Sequence, residues 1–312
     1  MIAAMCANPC VDRTVEIEKF TPGGMNRILR TREDGSGKGV NIALACEKLG
    51  MHSVCLGFMP EQGNKLVLGR LDASGCQSEF VACPGAVRVN LKVLDRSTGV
   101  ITEINEGGPA VDDALVECLI KTALNWAARC SFLVLTGSTP PGCPPDIYRR
   151  ITETVKREAP GCRVVLDAEG ARLSEGLKAV PFLVKPNRYE LELLCGHSLE
   201  SIADIHAEAQ RLIEQGVAIV AVSLGSEGAY ITDGKQAFHA AAMDVPVRST
   251  VGAGDSMVAG MLLALDRGLP LEEVLRHAVA AASSSVTTEG TGLIDEPLFR
   301  QLLPDVEWKA VM

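Results

Sequence analysis

The chain has 312 residues, of which 47% are hydrophobic, and a formal net charge of −9. These values predict a globular protein with one large core, and the acidic balance disfavours binding to nucleic acid or to an anionic membrane surface. The N-terminus lacks a basic segment followed by an apolar one, and no run of 18 apolar residues occurs, so we expect a cytoplasmic protein without a signal peptide or transmembrane helix.

Short β-type segments dominate the chain as far as about residue 111. They are rich in Val, Ile and Thr, and turn residues separate them. The predicted strands are 11–20, 27–32, 53–58, 87–94 and 100–105, and two helices at 40–49 and 62–73 interrupt them. The last two strands are joined by a short turn, which predicts a hairpin.

Strands and helices alternate from Asp112 onward. The predicted helices are 110–128, 145–158, 187–194, 202–215, 255–266 and 271–287, and the predicted strands between them are 132–135, 163–166, 182–184 and 218–223. Continuous apolar strands separated by helices indicate a mainly parallel sheet that is covered on both faces. We therefore expect an α/β protein with a single domain over 1–312 and a small β-sheet lid from approximately 11–34 and 86–106.

The segment 249–256, Ser-Thr-Val-Gly-Ala-Gly-Asp-Ser, is the most informative part of the sequence. Gly252, Ala253 and Gly254 are small enough for the backbone to approach a ligand, and the free N–H groups of a first helical turn favour negative charge. Asp255 at this point can take a proton from a hydroxyl group that attacks a phosphoryl group. The segment therefore predicts a phosphoryl-transfer centre.

A glycine-rich segment at 35–41 precedes the first helix and resembles a phosphate-binding P-loop. It fails that pattern, because Arg32 replaces the first glycine and Gly39 replaces the Ser or Thr after Lys38. Two interpretations remain: a structural turn, or a polar-ligand loop in which Lys38 supplies charge and Asn41 supplies hydrogen bonds.

Several further positions have the chemistry of a sugar-phosphate site. Asp12 is the last residue of the segment 8–12, which closes the first β-type run after Ile2. At that position it can accept hydrogen bonds from sugar hydroxyls, although a turn aspartate is the alternative. Arg27 and Arg88 are predicted on lid strands, where they are either exposed strand residues or a clamp for a phosphate group. The loop at 136–142 follows another strand and is either open to a ligand or a simple turn.

Two segments in the second half suit a nucleotide. Asn187 and Glu190 lie on one face of a helix N-terminus, where they either form a capping box or order water around a metal ion held by nucleotide phosphates. The turn that contains Ser223, Gly225 and Gly228 either leaves room for a flat ring or a triphosphate, or is a plain hairpin.

These residues, in this order, resemble the PfkB (ribokinase-like) family of carbohydrate kinases over essentially the whole chain. Within the family the sequence looks like the branch of 1-phosphofructokinases and tagatose-6-phosphate kinases. The resemblance rests on the complete signature at 249–260 and on Asn8-Pro9-x-x-Asp12, Met25-Asn26-Arg27, Gly37-Lys38-Gly39-x-Asn41, Arg88-x-Asn90, Thr136-Gly137-Ser138, Lys185-Pro186-Asn187-x-x-Glu190 and Ser223-Leu224-Gly225.

The resemblance implies a three-layer α/β/α ribokinase-like fold whose lid often pairs between two subunits. It implies Asp255 as general base, the amides of Gly252, Ala253 and Gly254 as anion hole, and ATP with Mg²⁺ as donor; a monovalent cation such as K⁺ stays open. The implied sugar-phosphate contacts are Asp12, Arg27, Gly37, Lys38, Gly39, Asn41, Arg88, Asn90 and Ser138. The implied nucleotide contacts are Lys185, Asn187, Glu190, Ser223, Gly225 and Gly228, with Asn187 and Glu190 holding Mg²⁺ through water.

The resemblance favours fructose 1-phosphate as the acceptor, with fructose 1,6-bisphosphate as product. Tagatose 6-phosphate and fructose 6-phosphate are alternatives, followed by a ribokinase or nucleoside kinase and by an inactive sugar-phosphate sensor. Ser36, Pro60 and Val87 depart from the family pattern, and Cys10 lies close to Asp12 in the sequence. These departures bear on the identity of the substrate, because none removes the base or the anion hole.

Overall fold

The computed structural model describes residues 1–311 and contains two separate β-sheets. The larger sheet has ten strands in the order β14-β13-β12-β11-β10-β9-β8-β1-β4-β5. Its strands are β1 (Ile2–Cys6), β4 (Ser53–Gln62), β5 (Gln77–Ala86), β8 (Phe132–Thr136), β9 (Arg163–Asp167), β10 (Leu183–Val184), β11 (Ile219–Ser223), β12 (Ala229–Thr232), β13 (Ala237–Ala240) and β14 (Trp308–Ala310). The seven strands from β5 to β11 pair in parallel, and the last three pair antiparallel.

Helices cover both faces of this sheet. They are α1 (Lys38–Lys48), α2 (Lys65–Ala73), α3 (Asp113–Ala127), α4 (Ile147–Glu158), α5 (Gly170–Leu177), α6 (Arg188–Cys195), α7 (Ile202–Glu214), α8 (Ala253–Asp266), α9 (Leu271–Val286) and α10 (Glu296–Leu302). Side chains of β1 alternate between two cores: Ile2 and Ala4 belong to the core that also contains residues of α1, α8 and α9, whereas Ala3 and Met5 belong to the core that contains residues of α3, α4 and α7. The predicted three-layer α/β/α fold with a mainly parallel sheet is confirmed.

The smaller sheet has four strands in the order β3-β2-β6-β7. They are β2 (Cys10–Ile17), β3 (Ile28–Ser36), β6 (Arg88–Asp95) and β7 (Ile101–Asn105). Strands β2 and β6 pair in parallel, with Cys10 opposite Arg88 and Asp12 opposite Asn90. Because side chains alternate along a strand, every second residue of β2 and β6 faces the same side of this sheet.

Some predicted element bounds differ from the structure. Strand β3 begins at Ile28, so Arg27 lies in the preceding irregular segment, and β3 runs on to Ser36 through residues expected in a glycine loop. The segment Gln77–Ala86 is a strand that the sequence did not reveal, since its exposed and charged residues are atypical of a parallel strand; it lies at the sheet edge, beside β4 alone. Helix α2 begins at Lys65 because β4 extends to Gln62.

Candidate active site

Asp255 lies in the first turn of α8, at the carboxyl ends of the parallel strands. Gly252 precedes the helix with φ of 80°, a left-handed conformation that glycine adopts without strain. Within residues 1–311 the N–H groups of Gly252 and Gly254 have no hydrogen-bond partner, whereas the N–H of Ala253 donates to the Thr250 carbonyl over 3.3 Å. The cradle of free peptide N–H groups therefore centres on the two glycines, and Ala253 contributes less than the sequence predicted.

The surroundings of Asp255 suit a general base. The carboxylate is 6% exposed, and the Asn41 side-chain amide donates to its Oδ2 atom over 2.9 Å. Burial raises the pKa of Asp255 to about 6, while the nearby Lys38 ammonium and the Asn41 hydrogen bond oppose that rise. The group is therefore ionised at neutral pH and still basic enough to accept a proton. Asn41, predicted as a sugar contact, orients this carboxylate.

Asp167 joins the site although the sequence analysis missed it. It ends β9, is 1% exposed, and lies 3.2 Å from Lys185 Nζ and 3.5 Å from Lys38 Nζ through its Oδ1 atom. Burial alone would raise the pKa of Asp167, but the two ammonium groups reverse this and lower it. Asp167 in turn raises the pKa of Lys38. The carboxylate thus holds two charged lysines beside the glycine cradle; a Cβ built on Gly254 would lie 3.7 Å from Lys185 Nζ.

One face of β6 supplies a row of polar side chains to the same cavity. Arg88, Asn90 and Lys92 alternate along the strand and line it, opposite residues of β2. Asn90 Nδ2 donates to Asp12 Oδ1 over 3.1 Å, and Lys92 Nζ lies 3.2 Å from Asp12 Oδ2. Lys92, another residue that sequence reasoning missed, therefore neutralises the charge of Asp12 while leaving its oxygens able to accept hydroxyl hydrogens.

Arg88 is oriented by a set of hydrogen bonds. Its guanidinium donates to the Asn8 carbonyl and to Ser138 Oγ, both over 3.2 Å, and to Asn90 Oδ1 over 3.1 Å. Ser138, predicted as a substrate contact, comes from the loop after β8; it is not among the residues that line the cavity and contacts Arg88 instead. Such preorganisation reduces the entropy lost when an arginine grips an anion.

The glycines of the α1 entry have different functions. Gly37 lines the polar cavity with φ of 135°. Gly39, predicted as a sugar contact, packs α1 against β1 instead, since a Cβ there would lie 2.3 Å from the Met5 carbonyl oxygen. Cys10 also lines the cavity, with its Sγ atom 3.6 Å from Asp12 Oδ1.

Arg27 is not brought to this cavity. Its side chain is exposed in the segment before β3, and no hydrogen bond or ion pair to it occurs among residues 1–311. The predicted clamp of two arginines therefore does not form within one chain. Arg88 is instead accompanied by Lys38 and Lys92 as cavity cations.

Asn187 and Glu190 form a capping box at the start of α6. Asn187 Oδ1 accepts from the Glu190 N–H, and Glu190 Oε2 accepts from the Asn187 N–H, each over 2.8 Å. The capping-box interpretation is confirmed, and both residues also line the polar cavity, where the ligand interpretation stays a prediction. Glu190 Oε1 makes none of the capping bonds, and Asp167 Oδ1 is buried beside the ammonium groups of Lys185 and Lys38 without a hydrogen bond of standard geometry. These carboxylate and amide oxygens fit a hard divalent cation.

A second cavity of about 690 Å³ adjoins the polar one, whose volume is about 440 Å³. Ser223, Gly225 and Gly228 line it as expected for nucleotide contacts. Eight of its nineteen lining residues are apolar residues that the sequence analysis did not single out: Ala242, Met243, Val245, Val247, Met257, Val279, Ala282 and Val286. Asn187, Ser223 and Gly254 line both cavities, so the glycine cradle lies at their border.

This arrangement can bind a flat apolar group on one side and an anionic polyol on the other. Asp255 and the free N–H groups of the first turn of α8 lie where the two would meet. No helix within residues 1–311 combines the length and apolar character needed to cross a membrane.

Residues 5–297 match the profile of the pfkB family carbohydrate kinases. The chain is 33% identical over 307 residues to the 1-phosphofructokinase of Bacillus subtilis (strain 168), covering 98% of this chain and 99% of that protein. It is 35% identical over 286 residues to the 1-phosphofructokinase of Rhodobacter capsulatus, covering 89% and 88%.

The fold is also similar to a solved structure. The phosphofructokinase-2 of Escherichia coli in complex with potassium superposes with a TM-score of 0.90 at 27% identity, covering 97% of this chain and 98% of that one. A tetrameric inhibited form of the same enzyme superposes with a TM-score of 0.89 at 27% identity, covering 97% and 98%.

Proposed function

The chain belongs to the pfkB family of carbohydrate kinases and is a phosphotransferase with an alcohol group as acceptor; from that premise we propose that it phosphorylates fructose 1-phosphate with ATP to give fructose 1,6-bisphosphate. One observation carries this proposal: Asp255 and the free backbone N–H groups at the start of α8 lie where the apolar cavity meets the polar cavity with its cationic side chains. The similarity to 1-phosphofructokinases over nearly the full length supports this acceptor.

The proposed reaction is an in-line transfer. The hydroxyl oxygen of the sugar attacks the γ-phosphorus of ATP, the bond from that phosphorus to the β,γ-bridging oxygen breaks, and the hydroxyl proton passes to Asp255. Phosphoryl transfer depends on positioning and charge neutralisation more than on covalent catalysis. The amides of Gly252 and Gly254, with Lys185 close by, stabilise the negative charge on the transferred group.

The row of polar residues on the smaller sheet is proposed to bind the acceptor. Arg88 and Lys92 supply positive charge for a sugar phosphate, and Asp12 and Asn90 supply acceptors and donors for its hydroxyl groups. Lys92 is essential to this arrangement, because an unpaired Asp12 would repel an anionic substrate. The ion pair lets one site bind both hydroxyls and a phosphate.

ATP is the proposed donor, and its base would occupy the apolar cavity with Gly225 and Gly228 close to it. A divalent metal is implied for a kinase of this family, and we assign it as Mg²⁺, held by Asn187 and Glu190 through water. When bound, Mg²⁺ neutralises phosphate charge. A monovalent cation such as K⁺ is a further candidate, supported by the potassium complex of the E. coli relative.

The smaller sheet is proposed to act as a lid and as the contact between two copies of this chain. Among residues 1–311, half of the exposed large apolar side chains lie on it or beside it: Met25, Ile28, Leu29, Val100, Ile101 and Ile104. These residues form two groups, one at each edge strand of the sheet, β3 and β7, and exposed apolar groups of this kind favour association. Arg27 directly precedes β3, so a second copy is the proposed route by which it meets a sugar phosphate. A cytoplasmic location agrees with eleven free cysteines.

A substrate panel tests the proposal. Initial rates with ATP and Mg²⁺ are measured for fructose 1-phosphate, tagatose 6-phosphate, fructose 6-phosphate, free fructose and ribose. We expect kcat/KM to be highest for fructose 1-phosphate and lowest for the sugars without phosphate, since Arg88 and Lys92 then lose their anion. Equal rates with free and phosphorylated sugars would contradict the proposal, and no ATP consumption with any of them would favour a sugar-phosphate sensor.

A further inference from the structure

Three potential metal ligands meet at the end of α6 that lies away from the active site. Cys195 is the last residue of α6, His197 lies two positions further along the chain, and Glu208 lies on α7. One ligand atom from each lies within 4.8 Å of the others. Gly196 between the first two has φ of 81°, which turns the chain back so that both side chains reach the same place.

One ring nitrogen of His197 is held by a backbone carbonyl, and the other is directed at Glu208. The Ser198 carbonyl oxygen, which can only accept, is 3.1 Å from Nδ1, so Nδ1 carries the hydrogen. The other nitrogen, Nε2, lies 3.1 Å from Glu208 Oε1. A nitrogen lone pair and a carboxylate oxygen at this distance repel each other unless a cation lies beside both. Either a proton or a metal ion fulfils that condition.

The third group makes the set suitable for a metal ion. Cys195 Sγ lies near the same two atoms and is only partly buried, so an ion can reach it. Thiolate, imidazole and carboxylate together favour a borderline or soft divalent ion over Mg²⁺ or Ca²⁺. We propose that Cys195, His197 and Glu208 form a site for Zn²⁺ or a similar ion, with a water molecule as fourth ligand. On binding, the thiol releases its proton to solvent as the metal–sulfur bond forms.

Neighbouring groups hold the ligands in place. The Ser198 carbonyl fixes the His197 ring, as a second hydrogen bond usually does for a histidine ligand. Glu208 is 7% exposed and is also bound by Arg211, whose Nη1 atom lies 3.1 Å from Oε1 and 3.2 Å from Oε2, so a bound ion would share this carboxylate with the guanidinium group. An arginine and a divalent ion on one carboxylate are compatible when a thiolate supplies the second negative charge.

We expect this ion to stabilise the packing of α6 against α7. Bound metal would tie the end of α6 to α7. Helix α6 begins next to Asn187, about 12 Å away along its axis at 1.5 Å per residue, so the ion is distinct from any metal bound with the nucleotide. Binding of this ion does not depend on the kinase reaction.

Cobalt binding to the full-length, nucleotide-free protein tests the site, after chelation has removed other metals. Co²⁺ substitutes for Zn²⁺ and gives a near-ultraviolet absorption band when a thiolate binds it. We expect one Co²⁺ per chain with this band, displacement of the band by Zn²⁺, and a higher melting temperature with Zn²⁺. Cys195→Ser should abolish the band, and His197→Gln should weaken binding at least tenfold.

Matched controls are Cys118→Ser, which removes an exposed cysteine elsewhere, and His52→Gln, which removes an exposed histidine. Both should bind Co²⁺ like the original chain. Cys195→Ser should phosphorylate sugar at the normal rate in excess Mg²⁺, because Cys195 lines neither cavity; this shows that the variant is folded. The absence of a thiolate band in the original chain, or an unchanged band in folded Cys195→Ser, would overturn the proposal.

Discussion

The two cavities on either side of the α8 N-terminus are built from opposite chemistry. The polar cavity is lined by four cationic residues (Lys38, Arg88, Lys92 and Lys185) and five carboxylates (Asp12, Glu103, Asp167, Glu190 and Asp255). The other cavity is lined mainly by Ala, Val, Met, Gly and Ser residues, and Asp244 is the charged residue among those that line it. In the proposed reaction, the acceptor would be recognised through charge and hydrogen bonds, and the donor's base through shape and apolar contact.

Charge pairing explains how so many ionic groups coexist in the polar cavity. Lys92 is paired with Asp12, and Asp167 with both Lys38 and Lys185. A buried charge without a partner costs several kcal/mol in order of magnitude. When a charged ligand binds, the charged side chains of the polar cavity can therefore exchange their present partners for the ligand. The apolar cavity has few charged side chains, so binding there requires no such exchange.

Asp255→Asn should have the largest effect, because it removes the base at the border while leaving both cavities intact. A positioned base contributes about 10²- to 10⁴-fold, so kcat should fall by that factor with little change in KM for either substrate. Steady-state rates with ATP and fructose 1-phosphate measure this. Asp266→Asn, at the exposed end of the same helix, is the control that should keep full activity.

Substitutions of the cationic residues in the polar cavity should change KM for the sugar phosphate and leave KM for ATP nearly unchanged. Arg88→Ala or Lys92→Met should raise KM for the sugar phosphate about tenfold to a hundredfold, the value of one or two hydrogen bonds to a charged group, with little change in KM for ATP. Arg96→Ala, in the exposed turn after β6, is the matched control. If both KM values rose equally, the assignment of these residues to the acceptor would be wrong.

A substitution in the apolar cavity should affect the other substrate, ATP. Ala282→Leu should raise KM for ATP by roughly tenfold, because three added carbons occupy space that the base needs. KM for the sugar phosphate should stay nearly constant. A melting temperature close to that of the original chain would show that the effect is local, and a change confined to the sugar phosphate would reverse the assignment of the two cavities.

The dependence of kcat on pH tests the charge environment of Asp255. Its carboxylate must be deprotonated to accept the hydroxyl proton, and its pKa is raised to about 6. Activity should therefore be steady above that pH and fall about tenfold per pH unit below it. Lys38→Met removes a charge that lowers this pKa, so the acid limb should move to higher pH. A shift in the opposite direction would contradict the proposed electrostatics.

The lid surface should affect assembly more than chemistry. Ile101→Glu combined with Ile104→Glu places charges on an exposed apolar strand, which should shift a dimer to monomer in light scattering after size-exclusion chromatography. Leu193→Glu, at an exposed position of α6, is the control. An unchanged mass in the lid variant would place the contact between copies elsewhere.

The sequence predicted local features better than contacts between distant segments. Helix α8 and the position of Asp255 in its first turn follow from a continuous motif. Lys92 was missed because its role arises from the parallel register of β2 and β6, which places it beside Asp12. Asp167 was missed because a single aspartate after a strand becomes significant only when Lys38 and Lys185 converge on it.

The apolar cavity was hardest to predict, for a physical reason. Met243, Ala282 and Val286 are ordinary core residues by type, and nothing in their sequence shows that one side of each faces an open space. Arg27 illustrates the opposite error: its neighbours suggested a strand facing the site, but β3 begins one residue later and the side chain is exposed.

A crystal structure with fructose 1-phosphate and a non-hydrolysable ATP analogue tests the central claim most directly. We predict that the terminal phosphate group of the analogue accepts hydrogen bonds from the Gly252 and Gly254 N–H groups, and that a sugar hydroxyl lies within hydrogen-bond distance of Asp255. The sugar's own phosphate should contact Arg88. Binding of both ligands with Asp255 turned away from the sugar hydroxyl would contradict the account.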